Sequence, residues 1–397
     1  MTSILFVTES STRGGVVTVL GHILTQWPET DTRRLLLLHN EGHGGKEFFH
    51  SIANRSNRLD IIEVPSWNHM RTNLQARKTS WINLYLIKIF IFIYKILFFL
   101  KSILYFQNLC SDQKVEVVFS HSGGYPGGLL NRAAVFGAKL AGVRRICLVV
   151  HNLSKKPQKF AFLSRAHDII LTTATSNLIA VSEATKQSLH EYRFPSKEPQ
   201  VIYNGIPLHS QIFNVEREKN TGVFTLAYVG ELSERKGLTT LFQAVASLQT
   251  PVLLLVYGRE MEAGYKNTLS KLSQTLSIDT MVKFMGFDPD VSEKLGDVDV
   301  LVLPSIAYES FGMVLLEAMR HKKPVVVTDI GGMKEVVIHE KTGFVVPAQN
   351  ADALAAALLK IIGDTDLAKT LGEAGYQRLC KEFTSERMVE EYFSLSL

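Results

Sequence analysis

The stretch LVLPSIAYESFGMVLLEAM, Leu301–Met319, decides how the rest of the chain is read. An apolar run ends at Pro304, as a buried strand does. A polar loop carrying Glu309 follows. From Phe311–Gly312 onward the apolar residues recur at helical spacing, with Glu317 among them. A strand, a loop and a helix in so short a span form the repeating unit of a parallel sheet. Gly312 lets backbone approach a ligand closely. The amides of Phe311, Gly312 and Met313 lie at a helix N-terminus, where free N–H groups suit a pyrophosphate. Carboxylates disfavour phosphate and accept from hydroxyls, so Glu309 and Glu317 suit sugar and ribose. An ordinary helix with one capping and one partly buried glutamate is the plainer reading of the same residues.

The same alternation extends outward in both directions. Strand-like runs at Ile4–Val7, Leu35–Leu38, Val115–Phe119, Ile146–Val150, Leu178–Val181 and Val201–Ile202 are separated by helical patterns, such as 126–141 and 183–191. A second series runs through Thr225–Val229, Val252–Tyr257, Val282–Phe284, Val300–Leu303, Val325–Thr328 and Phe344–Val346. A polar, aperiodic stretch at Leu208–Thr221 divides them. With 397 residues, two cores are expected. The pattern implies an α/β chain of two doubly wound Rossmann-like domains, 1–205 and 206–379, facing each other across a cleft. A last helix within 380–397 returns to the first domain. Small ligands bind at the carboxyl ends of such sheets.

Composition narrows the class. Cys110, Cys147 and Cys380 form no C-x-x-C pair, so they read as free thiols in a reducing compartment. The chain opens on a strand rather than a secretory pattern, which implies a cytoplasmic location. Residues 1–205 hold 24 Lys and Arg against 13 Asp and Glu, whereas the remainder is acidic. A basic half suggests a polyanionic partner. The basic residues are dispersed and no helix-turn-helix, RNP or zinc pattern accompanies them, which counts against nucleic acid. WINLYLIKIFIFIYKILFFLKSILYF, residues 81–106, points to membrane instead. Lys88, Lys95 and Lys101 interrupt it too often for a good span. On a helix those lysines share a broad sector with aromatic and aliphatic residues elsewhere, and Arg71, Arg77 and Lys78 lie upstream. Such a helix can lie in the interface of an anionic bilayer, so the chain is expected to be peripheral at the inner membrane face. A core helix with snorkelling lysines is the alternative.

Pro304–Met319 resembles the E-x7-E motif of the retaining, family 4 glycosyltransferases with the GT-B fold. The context agrees, with DVDVLVLPS (297–305) leading in and KKPVVVTDIGG (322–332) following. That resemblance implies sugar transfer from a nucleotide-diphosphate sugar, a co-substrate, with no cofactor and no bound metal. It places Glu309 by the donor sugar and Glu317 on the ribose. In Tyr228–Leu238, Lys236 matches the lysine that grips the diphosphate. Glu231 stands where an arginine is usual, and Arg235 is left as the second cation. Gly14 and Gly15 resemble the glycine loop over donor phosphate and acceptor. His151 matches a histidine near the reacting centre. His121, Asn152 and Ser182 lie at strand ends where sugar or acceptor is met, although Ser182 before Glu183 also reads as a helix cap. Gly331–Gly332 and Glu335 resemble a GG-x-x-E near the sugar. Asn204–Gly205–Ile206 suits a hinge turn, about which the domains would close. Asp297-Val-Asp299 imitates a metal-binding D-x-D but runs into a strand. The expected acceptor is a saccharide, or a lipid-linked saccharide of a cell-surface polysaccharide. An epimerase of the same fold, a basic binding protein or a scaffold with a relic site are the competing readings.

Overall fold

The computed structural model describes residues 1–10, 14–65, 81–157, 161–208 and 222–397, the side chains of 81–87 and 161 excepted. Arg13, Arg71, Arg77, Lys78 and most of the polar divider at 208–221 lie outside the described residues. The chain separates into two compact units, Met1–Tyr203 with Met388–Leu397, and Asn204–Arg387.

The first unit holds a seven-stranded sheet. Its strands are β1 (Ser3–Thr8), β2 (Arg34–Asn40), β3 (Leu59–Val64), β4 (Val115–Ser122), β5 (Arg145–Val150), β6 (Asn177–Ala180) and β7 (Gln200–Val201), in the order β3-β2-β1-β4-β5-β6-β7. All pairs are parallel. Every residue of β1 is buried, as a strand covered by helices on both faces requires. β3 is missing from the sequence reading. It is an edge strand, and Asp60 and Glu63 break its apolar run at outward positions. Met388–Leu397 packs on this unit through Tyr392 against Phe119 and Phe393 against Trp27. Arg33 clamps it by donating to Ser396 O at 2.9 Å.

The second unit repeats the plan with β8 (Phe224–Val229), β9 (Val252–Tyr257), β10 (Val282–Gly286), β11 (Val300–Leu303), β12 (Val325–Thr328) and β13 (Phe344–Val346), ordered β10-β9-β8-β11-β12-β13. In each unit the winding reverses between the first and fourth strands, β1 and β4 or β8 and β11. Loops leaving those two strands diverge there and open a crevice. Asn204–Gly205–Ile206 is locked to Phe383–Ser385, with Ile206 N donating to Phe383 O and Ser385 N to Ile206 O. A Cβ on Gly205 would lie 2.1 Å from Thr384 O, so glycine is required by that close approach. Asp299 N and Oδ2 both bond the backbone of Thr225, which fixes the entry of β11 beside β8. That is the amino edge of the sheet, away from the crevice.

The helix Trp81–Asp112 is longer than the stretch singled out in the sequence. From Phe98 to Cys110 it packs on the first unit's core through Phe98, Phe99, Ile103, Phe106, Leu109 and Cys110. From Lys88 to Leu97 almost every side chain is exposed, apolar ones included. By length and composition alone, Lys88–Asp112 is long and apolar enough to cross a membrane.

Candidate active site

In the second unit the loops after β8 and β11 are zipped together at the switch point. Ile306 N donates to Arg235 O at 2.8 Å. Gly237 makes this possible. Its φ is +70°, and a Cβ there would sit 1.9 Å from Pro304 O. Gly237→Ala is expected to destabilise the unit by roughly 2 kcal/mol or more, seen as a lower midpoint in urea unfolding. An unchanged midpoint would mean that the two loops are not held as one.

This zipper brings Lys236 to Glu309. Lys236 Nζ and Glu309 Oε2 are 2.5 Å apart, with both side chains largely buried. Ser305 Oγ donates to the same oxygen at 3.2 Å. Burial alone would push the Glu309 carboxyl up, but Lys236, Arg235 and Ser305 outweigh it and hold the group below its usual range. Glu309 is thus a carboxylate at neutral pH. Tyr308, just before it, adopts φ +52°, a strained conformation for a residue with a Cβ. Gly332 N donates to Glu309 O at 3.0 Å, so the glycine pair after β12 is pinned to the same loop.

Arg235 reaches Glu231, with Nη2 2.6 Å from Oε2. The acid that replaces the usual arginine therefore engages the remaining cation, four residues on. Tyr228 Oη donates to Glu231 O at 2.7 Å and holds the loop from below.

The helix Met313–Arg320 starts at Gly312, whose φ is +86°. No side chain caps it. Phe311 is buried against Phe383 and anchors the turn; Met313 is half-buried. One turn further, burial lifts the Glu317 carboxyl to about 7, against the pull of Arg320 and Ser292.

In the first unit the strand ends gather His121, His151 and the loop after β1. His121 Nδ1 and His151 Nε2 are 3.0 Å apart, their rings stacked. Burial holds both below the usual histidine range, His151 at about 3, so the pair is neutral. The sequence reading set His121 toward a ligand. It is instead fully buried, packed between His151, Phe6 and Tyr392, and can only position His151. For Ser182 the helix-cap reading holds. It is fully buried and its Oγ accepts from Thr185 N at 3.1 Å, a helix cap rather than a sugar contact. Asn152 is exposed beside His151. Gly14 and Gly15 are exposed at the start of the helix Gly15–Gln26, and a Cβ on Gly14 would meet nothing within 4 Å. Gly14 has ordinary extended backbone, so neither packing nor conformation demands a glycine there.

One residue escaped the sequence reading. Glu9 Oε2 accepts from Leu130 N at 3.0 Å, seating a carboxylate on the N-terminus of the helix Leu129–Leu140 at this switch point. Burial raises its pKa, partly offset by Leu130 N–H and Arg132. Its only sequence signal is that it is the sole acid between β1 and Gly14. Among the described residues no group of three or more His, Cys, Asp or Glu could hold a metal ion.

Residues 48–210 match the family model Glycosyltransferase Family 4, and residues 210–378 match Glycosyl transferases group 1. With its two doubly wound units and the E-x7-E run at their second switch point, the chain belongs to the group 1, family 4 glycosyltransferases. It is 30% identical over 221 residues to N-acetyl-alpha-D-glucosaminyl L-malate synthase of Bacillus anthracis, covering 54% of this chain and 57% of that one. It is 32% identical over 167 residues to the lipopolysaccharide core biosynthesis glycosyltransferase LpsE of Rhizobium meliloti, covering 42% and 48%. These matches span about half the length of either relative. The fold is shared with a glycosyltransferase of Rickettsia africae (TM-score 0.79, 21% identity, 100% of this chain and 97% of that one). It is also shared with HepE of Anabaena solved with UDP (TM-score 0.77, 19%, 99% and 98%).

Proposed function

We propose that this chain is a retaining glycosyltransferase that needs no bound metal. It moves a sugar from a UDP- or GDP-sugar to a lipid-linked saccharide acceptor at the inner face of a membrane. The observation that carries the reading is the buried Lys236–Glu309 pair beside an uncapped helix N-terminus. A fixed cation and the positive end of a helix lie where a diphosphate would leave, and each stabilises charge that grows in the transition state. Glu309, ionised and fixed, accepts from sugar hydroxyls. Glu317 accepts from ribose hydroxyls. Lys236, seconded by Arg235, neutralises the departing phosphate, which takes the acceptor proton in a front-face attack. His151, neutral, meets the donor sugar on the first unit. UDP comes first among the donors because HepE, of the same fold, was solved with it. LpsE, a lipopolysaccharide enzyme by name, supports the acceptor class.

The exposed apolar half-helix at Lys88–Leu97 supports a membrane seat. It does not support a crossing. β3 ends at Val64 and the helix rejoins the core at Phe98, both in the first unit. A span would force the intervening sequence, with Arg71, Arg77 and Lys78, to recross hydrocarbon.

The test is to incubate the purified chain with a panel of UDP- and GDP-sugars and a membrane extract, without divalent metal. Release of nucleotide diphosphate only with acceptor is expected, and NMR of the product should show the donor's anomeric configuration. Release without acceptor, or an inverted product, would overturn the reading.

A further inference from the structure

The first unit carries a second apolar and basic element at the carboxyl edge of its sheet, separate from the half-helix at Lys88–Leu97. Phe162 and Leu163, at the start of the helix Ala161–Ala174, are 80% and 62% exposed. Arg165 is exposed one turn on, and Lys155 and Lys156 are exposed in the loop that leaves β5 after His151. Large side chains this bare carry an unfavourable hydration cost unless something covers them.

Three helices lie side by side here, and their mutual register sets the height of each exposed group. The helix Trp81–Asp112 meets Leu129–Leu140 where a Cβ on Gly137 would touch Phe106 and Ile103 O. Nearer the carboxyl edge, Arg132 covers the Phe99 ring. Arg132 also reaches His167 of the third helix, Nη1 to Nε2 3.4 Å. Each helix runs against the strands, so all three run the same way. Phe99, Arg132 and His167 therefore lie within the reach of one arginine side chain. Counting back, Phe162 and Leu163 stand near the height of Tyr94 and Lys95, to within about two turns, ~10 Å. Two exposed apolar elements on two helices thus extend toward the same sheet edge.

Charge bears on what covers them. At this edge Lys155 and Lys156, in the loop after β5, and Arg165, one turn into the helix Ala161–Ala174, are exposed. The one acid of that helix, Asp168, is buried and paired with Arg193, Nη2 to Oδ1 2.6 Å. A mixed apolar and cationic rim of this kind fits the headgroup boundary of a bilayer.

We propose that Phe162 and Leu163, flanked by Lys155, Lys156 and Arg165, form a second contact with an anionic bilayer. With the half-helix at Lys88–Leu97 it gives the first unit a two-point seat. The proposal rests on the membrane reading above and extends it. One insertion point leaves a protein free to swivel. Two points hold the carboxyl edge, with His151 and Asn152, at a set distance from the lipid surface. The acceptor it selects is one whose reacting hydroxyl lies close to the headgroups, with few sugars between it and its anchor.

Flotation of the full chain with vesicles of phosphatidylglycerol and phosphatidylcholine, against phosphatidylcholine alone, tests this. Wild type, F162S/L163S, K155E/K156E and I93S/L97S are compared. F162S/L163S is expected to lower partition to the anionic vesicles about tenfold or more. K155E/K156E should do so at low salt and barely alter the small partition to phosphatidylcholine. If wild type does not float, the membrane reading itself fails. If I93S/L97S loses binding while both other variants keep it, the seat has one point and this proposal fails. F162W supplies a readout independent of folding losses. Brominated lipid should quench it more than wild type, and equal quenching would place Phe162 outside the bilayer. A wild-type dimer in light scattering that F162S/L163S converts to monomer, without loss of flotation, would assign the patch to a second copy instead.

Discussion

Lys236→Met is expected to lower kcat/KM for sugar transfer about a hundred- to a thousandfold. Two effects act together. The substitution removes the cation paired with Glu309, and a fixed charge facing a leaving group contributes on the order of 3–4 kcal/mol to a transition state. It also strands Glu309, whose Oε2 lies 2.5 Å from Lys236 Nζ. An unpaired buried carboxylate costs about 3–5 kcal/mol, so the melting temperature should fall as well. The double variant Lys236→Met, Glu309→Gln separates the two. Removing both charges should recover most of the lost stability and none of the lost turnover. If the double variant regained transfer, Lys236 would be a structural partner of Glu309 and no more. If the single variant turned over at the wild-type rate, the donor site would lie elsewhere.

Glu317→Gln is expected to make the protein more stable at pH 8 and a poorer donor binder. Burial raises the folded-state pKa of Glu317 from 4.5 to about 7. The folded chain therefore holds this proton more tightly than the unfolded chain. The stability tied to that proton is fully present below pH 4.5 and is lost as pH rises through about 7. At pH 8 the buried carboxylate costs roughly 3 kcal/mol. Glutamine is never ionised, so the variant should melt several degrees higher at pH 8 and show little difference at pH 5. Ribose hydroxyls need the ionised form, since two donors to one charged group are stronger than to an amide. Calorimetry with UDP should thus show wild-type affinity rising from pH 6 to 8. The variant should bind about ten- to a hundredfold more weakly, with no such rise. A wild-type affinity flat across this range would remove Glu317 from the ribose. A group kept at the expense of stability is what a binding site contains and a structural helix does not.

Much of the architecture is legible because parallel strands covered on both faces must be apolar throughout. Eleven of the thirteen strands announce themselves as unbroken or nearly unbroken apolar runs; β7 is only Gln200–Val201, one residue of the run read at Val201–Ile202. β3 does not, because an edge strand tolerates Asp60 and Glu63. The site divides along a similar line. Local segments are readable. Gly312 opens a helix and Glu317 sits a turn inside it because spacing along one helix is written in one stretch of chain. Pairings across loops are not. Lys236 and Glu309 are 73 positions apart, and only the zipper at Gly237 and Ile306 brings them to contact.

By itself the sequence determined the class of fold, the E-x7-E run and the excess of cations in the first half. Composition and periodicity are sums over neighbouring residues, and these features are such sums. Only the tertiary structure decided which polar residues have hydroxyls or rings left to offer a ligand. It buried His121 beneath His151 and turned the Ser182 hydroxyl to Thr185. It also bared most of Lys88–Leu97, and Phe162 and Leu163, on two different helices. The reason is the same in each case. Whether a side chain is covered, paired or free depends on what another part of the chain puts beside it, and no local pattern carries that information.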